Sequence, residues 1–290
     1  MGAVDLHSHT TASDGSLAPR ELVRKAVEHG VRVLAITDHD STEGLAEALA
    51  EAARHPGLEI VPGLEINCDV AGGEIHILGY YVDYQADWFQ AFLREQRAER
   101  VERVHRIAAR LAELGMPIDP EEVFALVREG SAGRPHVAQV MVKHGYVKSV
   151  REAFDRYLHA TGPANVPRKR LRPVDAVEVI RRAGGVPVLA HPGLAGKDDM
   201  IPELVRAGLA GIEAYYAEHS AAQTAAYLAL CRVHGLVATG GSDYHGPHAG
   251  RANPPGTPRV PMTAVDELRS RAASISGHPR TKRASRHPLQ

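Results

Sequence analysis

The chain has 290 residues, a length that suits one large domain or one domain with an insertion. Hydrophobic residues make up 44% and charged residues 24%, so the chain can bury a full core and is not a disordered polymer. The net charge of -1 argues against attachment to nucleic acid or membrane through bulk positive charge. Two cysteines are too few for a disulfide framework or a thiolate metal cluster. The unusual number is 17 histidines, because histidine is the commonest metal ligand.

The first third of the chain alternates short apolar runs with amphipathic stretches. The pattern predicts strands at 4–6, 31–37, 58–62 and 75–82, and helices at 19–29 and 43–54, the second capped by Ser41 or Thr42. The last third repeats the alternation, with strands at 186–190, 211–216 and 236–239 and helices at 174–183, 199–207 and 221–234. Strands that alternate with helices imply a parallel sheet covered by helices, and this many units predict a closed or nearly closed β/α barrel.

The middle third departs from this alternation. Helices are predicted at 88–114, 120–128, 135–144 and 150–159, with no convincing strand among them. We therefore expect a discontinuous barrel domain (1–82 and 164–275), a helical insert or cap (83–163) and a loose basic tail (276–290). The arginines of the long helix, Arg94 to Arg106 at spacing three, rotate around its axis, a pattern typical of an exposed helix with paired charges.

Residues of metal-binding type recur within or just after the predicted strands. The set comprises His7, His9, Asp14, Asp38, His39, Asp40, Glu65, His76, His191, Asp243 and His245. In β/α barrels the carboxyl ends of the strands converge on one face, so residues far apart in sequence meet in one pocket. His7 and His9 point to the same side of an extended segment, and Asp243 and His245 repeat this geometry.

Imidazoles and carboxylates without thiolates suit Zn, Mn or Fe. The set is large enough for two or three ions, with a carboxylate such as Glu65 free to bridge. Each piece alone has a simpler interpretation, since a lone His76 is usually a packed core residue and Ser242-Asp243 is typical of a helix cap. The recurrence at strand after strand favours the metal site.

The ordered set of motifs resembles the polymerase-and-histidinol-phosphatase (PHP) family of metal-dependent phosphoesterases over residues 1–82 and 164–250. The matching motifs are His7-Ser8-His9, Asp14-Gly15, Thr37-Asp38-His39-Asp40, Gly63-Leu64-Glu65, His76, His191-Pro192 and Ser242-Asp243-Tyr244-His245. The resemblance implies a distorted seven-stranded β/α barrel with three metals in a cleft. By position it implies three ligand sets, namely His7, His9, Glu65 and Asp243; Glu65, His76 and His191; and Asp14, His39 and His245. No ligand of the pattern is lost, which favours an active enzyme.

The helical insert and the segment Ser131 to His136 resemble stand-alone PHP proteins active as nucleoside 3′,5′-bisphosphate phosphatases and as 5′-to-3′ exoribonucleases on short RNA. The hypothesis is a phosphoesterase that removes the 3′-phosphate of such bisphosphates, trims 5′-phosphorylated RNA, or does both. A metal-bridging hydroxide is the expected nucleophile. Manganese is the expected metal, with zinc or iron left open. The expected partner is a nucleotide or short RNA, without a membrane or an obligate protein partner.

Further roles are assigned to individual residues. Arg134, His136 and Lys169 are predicted to bind a second substrate phosphate, the alternative being that Arg134 only pairs with a carboxylate. Asp38 and Asp40 are predicted to orient imidazoles. His191 or His245 could protonate the leaving group only if the imidazole concerned is not fully occupied as a metal ligand.

Three rival functions remain open. The first is a phosphatase for histidinol phosphate or another small monoester, and the second is hydrolysis of a C–N or lactone bond. The third is a non-catalytic metal-dependent module that binds nucleic acid. The sequence begins without a basic region followed by an apolar stretch and has no run of about 18 apolar residues, which predicts a cytoplasmic protein.

Overall fold

Seven strands form one sheet that nearly closes into a barrel. A computed structural model describes residues 2–71, 73–127, 131–159, 161–167, 171–247 and 253–277. The strands lie in chain order as β1 (Val4–Asp5), β2 (Val33–Ile36), β3 (Glu59–Val70), β4 (Gly73–Tyr80), β5 (Val186–Leu189), β6 (Gly211–Tyr216) and β7 (Val237–Gly241). The two outer strands meet where the Leu6 N–H donates to the Gly240 carbonyl at 3.1 Å. The predicted β/α barrel is confirmed.

Helices connect most of the strands. They are α1 (Pro19–Glu28), α2 (Leu45–Ala52), α3 (Asp87–Glu113), α4 (Pro120–Phe124), α5 (Arg134–Lys143), α6 (Val150–Ala153), α7 (Pro173–Arg182), α8 (Pro192–Ala195), α9 (Ile201–Ala207), α10 (Ala221–His234) and α11 (Met262–Ser276). A π-helix, Phe154–Leu158, continues α6, and a 3₁₀ turn, Asp198–Met200, precedes α9. Helix α11 was not predicted, and α2 begins after Gly44 rather than at Ser41 or Thr42.

The prediction of an all-parallel sheet is wrong at β4, which runs antiparallel to both β3 and β5. Val70 pairs with Gly73, so β3 and β4 form a tight hairpin and no helix lies between them. A chain that reverses without a crossover can only pair antiparallel. Strand β3 pairs with β2 through Pro62 and with β4 from Gly63 onward, and it extends well beyond the predicted end at 62.

Helix α3 is shared by two apolar clusters. Near its start, Phe89 and Leu93 are fully buried against the barrel helices and strands. Further along, Ile107 and Leu111 are fully buried in a cluster formed with α4, α5, α6 and the π-helix. The helical segment thus has its own core, which fits an insert, and the boundaries at 83 and 164 stay a proposal. Among the described residues, no helix is long and apolar enough to cross a membrane.

Candidate metal centre and its cleft

The structure brings together all nine side chains predicted as metal ligands. They come from the segment after β1, the loop after β2, strands β3 and β4, and the segments after β5 and β7. Four overlapping groups have ligand atoms close enough to hold an ion: His9, Asp14, His39 and His245; His7, Glu65 and His191; His7, His9 and Asp243; and His39, Glu65 and His76. Their ligand roles stay predictions, whereas their convergence is a property of the fold.

Four predicted metal ligands lie close together at the base of the cleft. His7 Nε2 lies 3.1 Å from His9 Nε2, and Glu65 Oε2 lies 3.3 Å from each of them. Asp243 Oδ1 lies 3.4 Å from His7 Nε2 and 3.2 Å from His9 Nε2. In a tetrahedral site with bonds of about 2.0–2.1 Å, neighbouring ligand atoms are about 3.3–3.4 Å apart. The donor atoms of His7, His9 and Asp243 therefore have the spacing of ligands around one small cation, and Glu65 Oε2 lies beside the two imidazoles.

Glu65 joins the groups. Its carboxylate lies between five imidazoles, at distances of 2.9 to 3.3 Å, from the residues His7, His9, His39, His76 and His191. Oxygen Oε1 faces His76 Nδ1 and His191 Nε2, whereas Oε2 faces the other three. One carboxylate with its two oxygens turned to different imidazole groups is suited to bridging two cations.

Asp14 is the centre of a third group. Its oxygens lie 3.3 Å from His245 Nε2 and 3.6 Å from His39 Nε2. His39 therefore stands between two groups, with Nδ1 toward Glu65 and Nε2 toward Asp14. This placement matches the third ligand set implied by the resemblance.

The electrostatics of the cluster favour added positive charge. Burial alone lowers the pKa of an imidazole, yet the facing carboxylates outweigh it and raise the pKa of His9 to about 10 and that of His76 to about 9. For His39 burial dominates and lowers the pKa to about 3. Burial would raise the pKa of Glu65, but His39 and the other imidazoles hold it well below its usual value. The Glu65 carboxylate is thus ionised in a buried setting, where charges are paired or coordinate metals.

Several buried donor and acceptor atoms lack hydrogen bonds that a metal would satisfy. His39 Nδ1 and Glu65 Oε2 lie 3.0 Å apart, yet neither has a partner with hydrogen-bond geometry. The backbone is also strained here, because His191 and Asp243 have φ angles of 25° and 50°. Non-glycine residues seldom adopt such angles, and those that do concentrate at functional sites. The residues present therefore fit divalent cations.

A buried glutamate missed by the sequence analysis supports two of the predicted ligands. Glu213, on β6, is fully buried, and its oxygens lie 3.0 and 3.1 Å from His7 Nδ1. It also accepts a hydrogen bond from the His191 N–H at 2.8 Å. A carboxylate behind a metal-binding imidazole fixes the ring's orientation and tautomer. Only the buried position of Glu213 on a predicted strand could have suggested this role.

Asp38 and Asp40 hydrogen-bond to groups in the loops and the helix around the site, and their predicted role in orienting imidazoles stays a prediction. Asp38 accepts hydrogen bonds from the N–H and hydroxyl of Thr10 and from the Ser13 hydroxyl, each at 2.7 Å, and so shapes the loop that carries Asp14. Asp40 accepts from Arg100 Nε at 2.7 Å. Both carboxylates therefore hold the loops around the site. His191 and His245 each place a ring nitrogen against a carboxylate, which leaves neither assigned as a general acid.

Two arginines of α3 contradict the prediction of an exposed, self-paired helix, whereas Arg94 and Arg106 are exposed as predicted. Arg100 and Arg103 are buried and line the cleft. Arg103 pairs with Glu74, as does Arg134, whose guanidinium also donates to the Leu158 carbonyl at 3.0 Å. Arg134 thus pairs with a carboxylate while lining the cleft, and its role toward a substrate phosphate stays a prediction. These residues are buried because α3 lies across the open end of the barrel instead of standing free.

The remaining predicted phosphate-binding residues are placed differently. His136 is buried, and its Nδ1 accepts a hydrogen bond from the Gly133 N–H at 3.1 Å, which caps α5. Burial lowers the pKa of His136, so the ring is favoured in its neutral form. Lys169 and most of the predicted tail, 278–290, lie outside the described residues.

The metal-binding groups open into a cleft of about 840 Å³ between the barrel and helices α3, α5 and α6. This volume is typical of pockets that hold a small organic molecule. A barrel of this type, with imidazoles and carboxylates converging beneath a cleft, defines a metal-dependent hydrolase.

Comparison with known proteins identifies the family. The model of the PHP domain matches residues 5–166, more than half of the chain. The chain is 37% identical over 256 residues to the 5′-3′ exoribonuclease Rnm of Escherichia coli (strain K12), covering 84% of this chain and 85% of that protein. It is 34% identical over 264 residues to the 3′,5′-nucleoside bisphosphate phosphatase of Chromobacterium violaceum, covering 86% and 90%.

Two further relatives complete the comparison. The phosphoribosyl 1,2-cyclic phosphate 1,2-diphosphodiesterase of Eggerthella lenta is 34% identical over 257 residues, covering 85% of this chain and 97% of that protein. A crystal structure from Bifidobacterium adolescentis, assigned as a metal-dependent phosphoesterase, superposes with a TM-score of 0.85 at 30% identity, covering 96% and 99%. The chain belongs to the PHP family of metal-dependent phosphoesterases.

Proposed function

We propose that this enzyme removes the 3′-phosphate of nucleoside 3′,5′-bisphosphates and trims short 5′-phosphorylated RNA from its 5′ end. The observation that carries the proposal is a pair of buried donors without partners, one of which, on Arg100, belongs to the lining of the cleft. Arg100 Nη2 and Ser131 Oγ are both buried and make no hydrogen bond. Unpaired buried donors cost stability, and a second substrate phosphate is the anion that would satisfy them.

The ligand sets are proposed as the resemblance implies them, with Glu65 shared between the first and second ions. Manganese is the proposed metal, with zinc or iron as alternatives. When bound, such cations lower the pKa of water toward about 7 and offset the charge of a phosphate ester. The chain itself holds the imidazoles in place through Glu213 and the loops through Asp38 and Asp40.

The second phosphate is proposed to bind at the start of α5. A Cβ atom on Gly133 would lie 3.3 Å from Arg100 Nη1, so this guanidinium lies directly against the residue that precedes the helix. Helix N-termini favour anions. Arg134 and Arg103 contribute positive charge to the same cleft from fixed positions, because Glu74 holds both. Helices α3 to α6 are therefore proposed as the cap that selects substrates with two phosphates.

The test is phosphate release from adenosine 3′,5′-bisphosphate in Mn²⁺, beside 3′-AMP, 5′-AMP, histidinol phosphate and a 1,2-cyclic ribose phosphate. We expect a strong preference for the bisphosphate, lost in both Arg134→Ala and Arg100→Gln, with metal content retained in Arg134→Ala. Arg106→Gln is the matched control, since Arg106 is exposed on the same helix. Equal or better turnover of histidinol phosphate or the cyclic ester would refute the substrate assignment.

The same assay separates an enzyme from a binding module. Preference for the bisphosphate would justify measuring the shortening of 5′-phosphorylated oligoribonucleotides from the 5′ end. Binding of nucleotide in Mn²⁺ without any hydrolysis would instead support the non-catalytic alternative.

A further inference from the structure

The cleft continues past the phosphate-binding residues along a wall that the reaction described above leaves unused. Pro135 and Gln139 of α5, Val150 of α6 and Phe154 of the π-helix line it. We propose that this surface, called here the Phe154 wall, binds the nucleobase of the substrate by stacking on the Phe154 ring. This inference rests on the proposed nucleotide substrate and adds the part of the site that recognises the base.

Phe154 is connected to the metal-binding groups by a short chain of contacts. Glu74 Oε2 lies 3.7 Å from Nε2 of His76 and pairs with the Arg134 guanidinium. The Arg134 Cζ atom lies 5.6 Å from the centre of the Phe154 ring. One arginine thus separates the aromatic ring from the residues around the metal-binding groups. A nucleotide with its phosphates held at the metals and the arginines would direct its base toward this ring.

Phe154 lies at an irregular point of the backbone and borders the cleft. It is the first residue of the π-helical turn that continues α6, and such turns are frequent at functional sites. Phe154 packs against the helical cluster and remains only partly buried, so part of its ring borders the cleft.

The chemistry of the wall favours a base of any identity. Stacking on an aromatic ring accepts every nucleobase because each has a π-face. The polar side chains that line the cleft beside this wall, Gln139, Arg151 and Asp155, are exposed and so lack the fixed orientation needed to distinguish base edges. We therefore expect substrates with a base to bind better than abasic ones, with little discrimination among the four bases.

The experiment measures KM and kcat of the Mn²⁺-loaded enzyme for adenosine 3′,5′-bisphosphate and for 1-deoxyribose 3,5-bisphosphate, which has no base. For Phe154→Leu we expect KM for the nucleotide to rise about 5- to 100-fold with kcat nearly constant, and the KM difference between the two substrates to vanish. Phe154→Tyr retains the aromatic face and is expected to keep that difference. Phe124→Leu is the matched control, because Phe124 packs against the same cluster and does not line the cleft.

The outcomes separate this inference from the function on which it rests. Hydrolysis of both bisphosphates with the same KM ratio in wild type and Phe154→Leu would refute the base site and leave the phosphoesterase assignment intact. Failure of the wild type to hydrolyse either bisphosphate would refute the proposed function and the base site together. Equal losses in Phe154→Leu and Phe124→Leu would show that Phe154 acts only through packing.

Discussion

Glu213 provides a sharp test of how the barrel holds its metals. It is fully buried on β6 and touches two predicted ligands from different ligand sets, the ring of His7 and the backbone N–H of His191. The substitution Glu213→Gln keeps the size of the side chain. It removes the negative charge and replaces one acceptor oxygen with an NH₂ group, which cannot accept from either donor.

The expected loss follows from these contacts. Carboxylates that hold metal-binding imidazoles typically contribute 10- to 100-fold in metal affinity. That range corresponds to about 1.4–2.8 kcal/mol, which is close to the worth of one charge-assisted hydrogen bond, about 1.5–3 kcal/mol. We therefore expect the affinity of Glu213→Gln for Mn²⁺ or Zn²⁺ to fall about 10- to 100-fold. Glu213→Ala should lose more, because the His191 N–H at 2.8 Å then has no acceptor.

The assay is competition for the metal against a chelator of known affinity, with bound metal measured by mass spectrometry. Circular dichroism of the metal-free proteins reports whether the fold is intact. Glu51→Gln is the control, since Glu51 is a buried carboxylate that pairs with Arg24 at the outer surface of the barrel. If Glu213→Gln bound metal as tightly as the wild type, the assigned role of Glu213 would be wrong. An equal loss of affinity in the control would show that any buried charge has this effect.

Three further predictions test the metal centre, the helical cluster and one buried cysteine. Glu65→Gln weakens the shared carboxylate, so metal content should fall well below that of the wild type, and an unchanged content would contradict the bridging arrangement. Leu111→Ala empties a fully buried position and should lower the free energy of unfolding in urea by about 2–5 kcal/mol, whereas a smaller loss would mean that the cluster is loosely packed. Burial raises the pKa of the Cys231 thiol to about 11, so roughly 0.1% is thiolate at pH 8. Thiol reagents should modify it only after unfolding, and rapid modification of the native protein would disprove this.

Most of the site could be predicted because its residues carry chemistry in their own identity. His7 and His9 are two residues apart directly after a strand, so their imidazoles are predicted to point to the same side of the extended chain. This prediction does not depend on the fold of the rest of the protein. The barrel then requires that such segments meet at one end. The convergence of nine side chains is therefore a consequence of strand periodicity and of the alternation of strands and helices.

The parts that were mispredicted depend on contacts made after folding. Two consecutive strands pair antiparallel in a hairpin and parallel after a helical crossover, so only the segment between them distinguishes the two cases. The apolar pattern of a strand does not show in which direction the strand runs relative to its neighbour. Arg100 and Arg103 have the spacing of surface arginines, and only the placement of α3 across the barrel opening buries them. Glu213 lies in an apolar strand whose pattern marks it as buried without showing which imidazole it faces.

Helix α3 explains how the cap and the metal-binding groups act as one unit. Its first turns pack against the barrel through Phe89, and its later turns form the helical cluster, so the helix cannot shift in one region without moving in the other. Between these regions, Arg97 donates to the Asp40 carbonyl at 3.1 Å and Arg100 pairs with the Asp40 carboxylate. Asp40 directly follows His39, a predicted ligand, and has a φ of 48°, so these two arginines hold the His39 loop in a strained backbone conformation. Binding of a phosphate to Arg100 would therefore act on Asp40, which positions His39. Substrate recognition and metal binding are thus coupled through Arg100, Asp40 and His39.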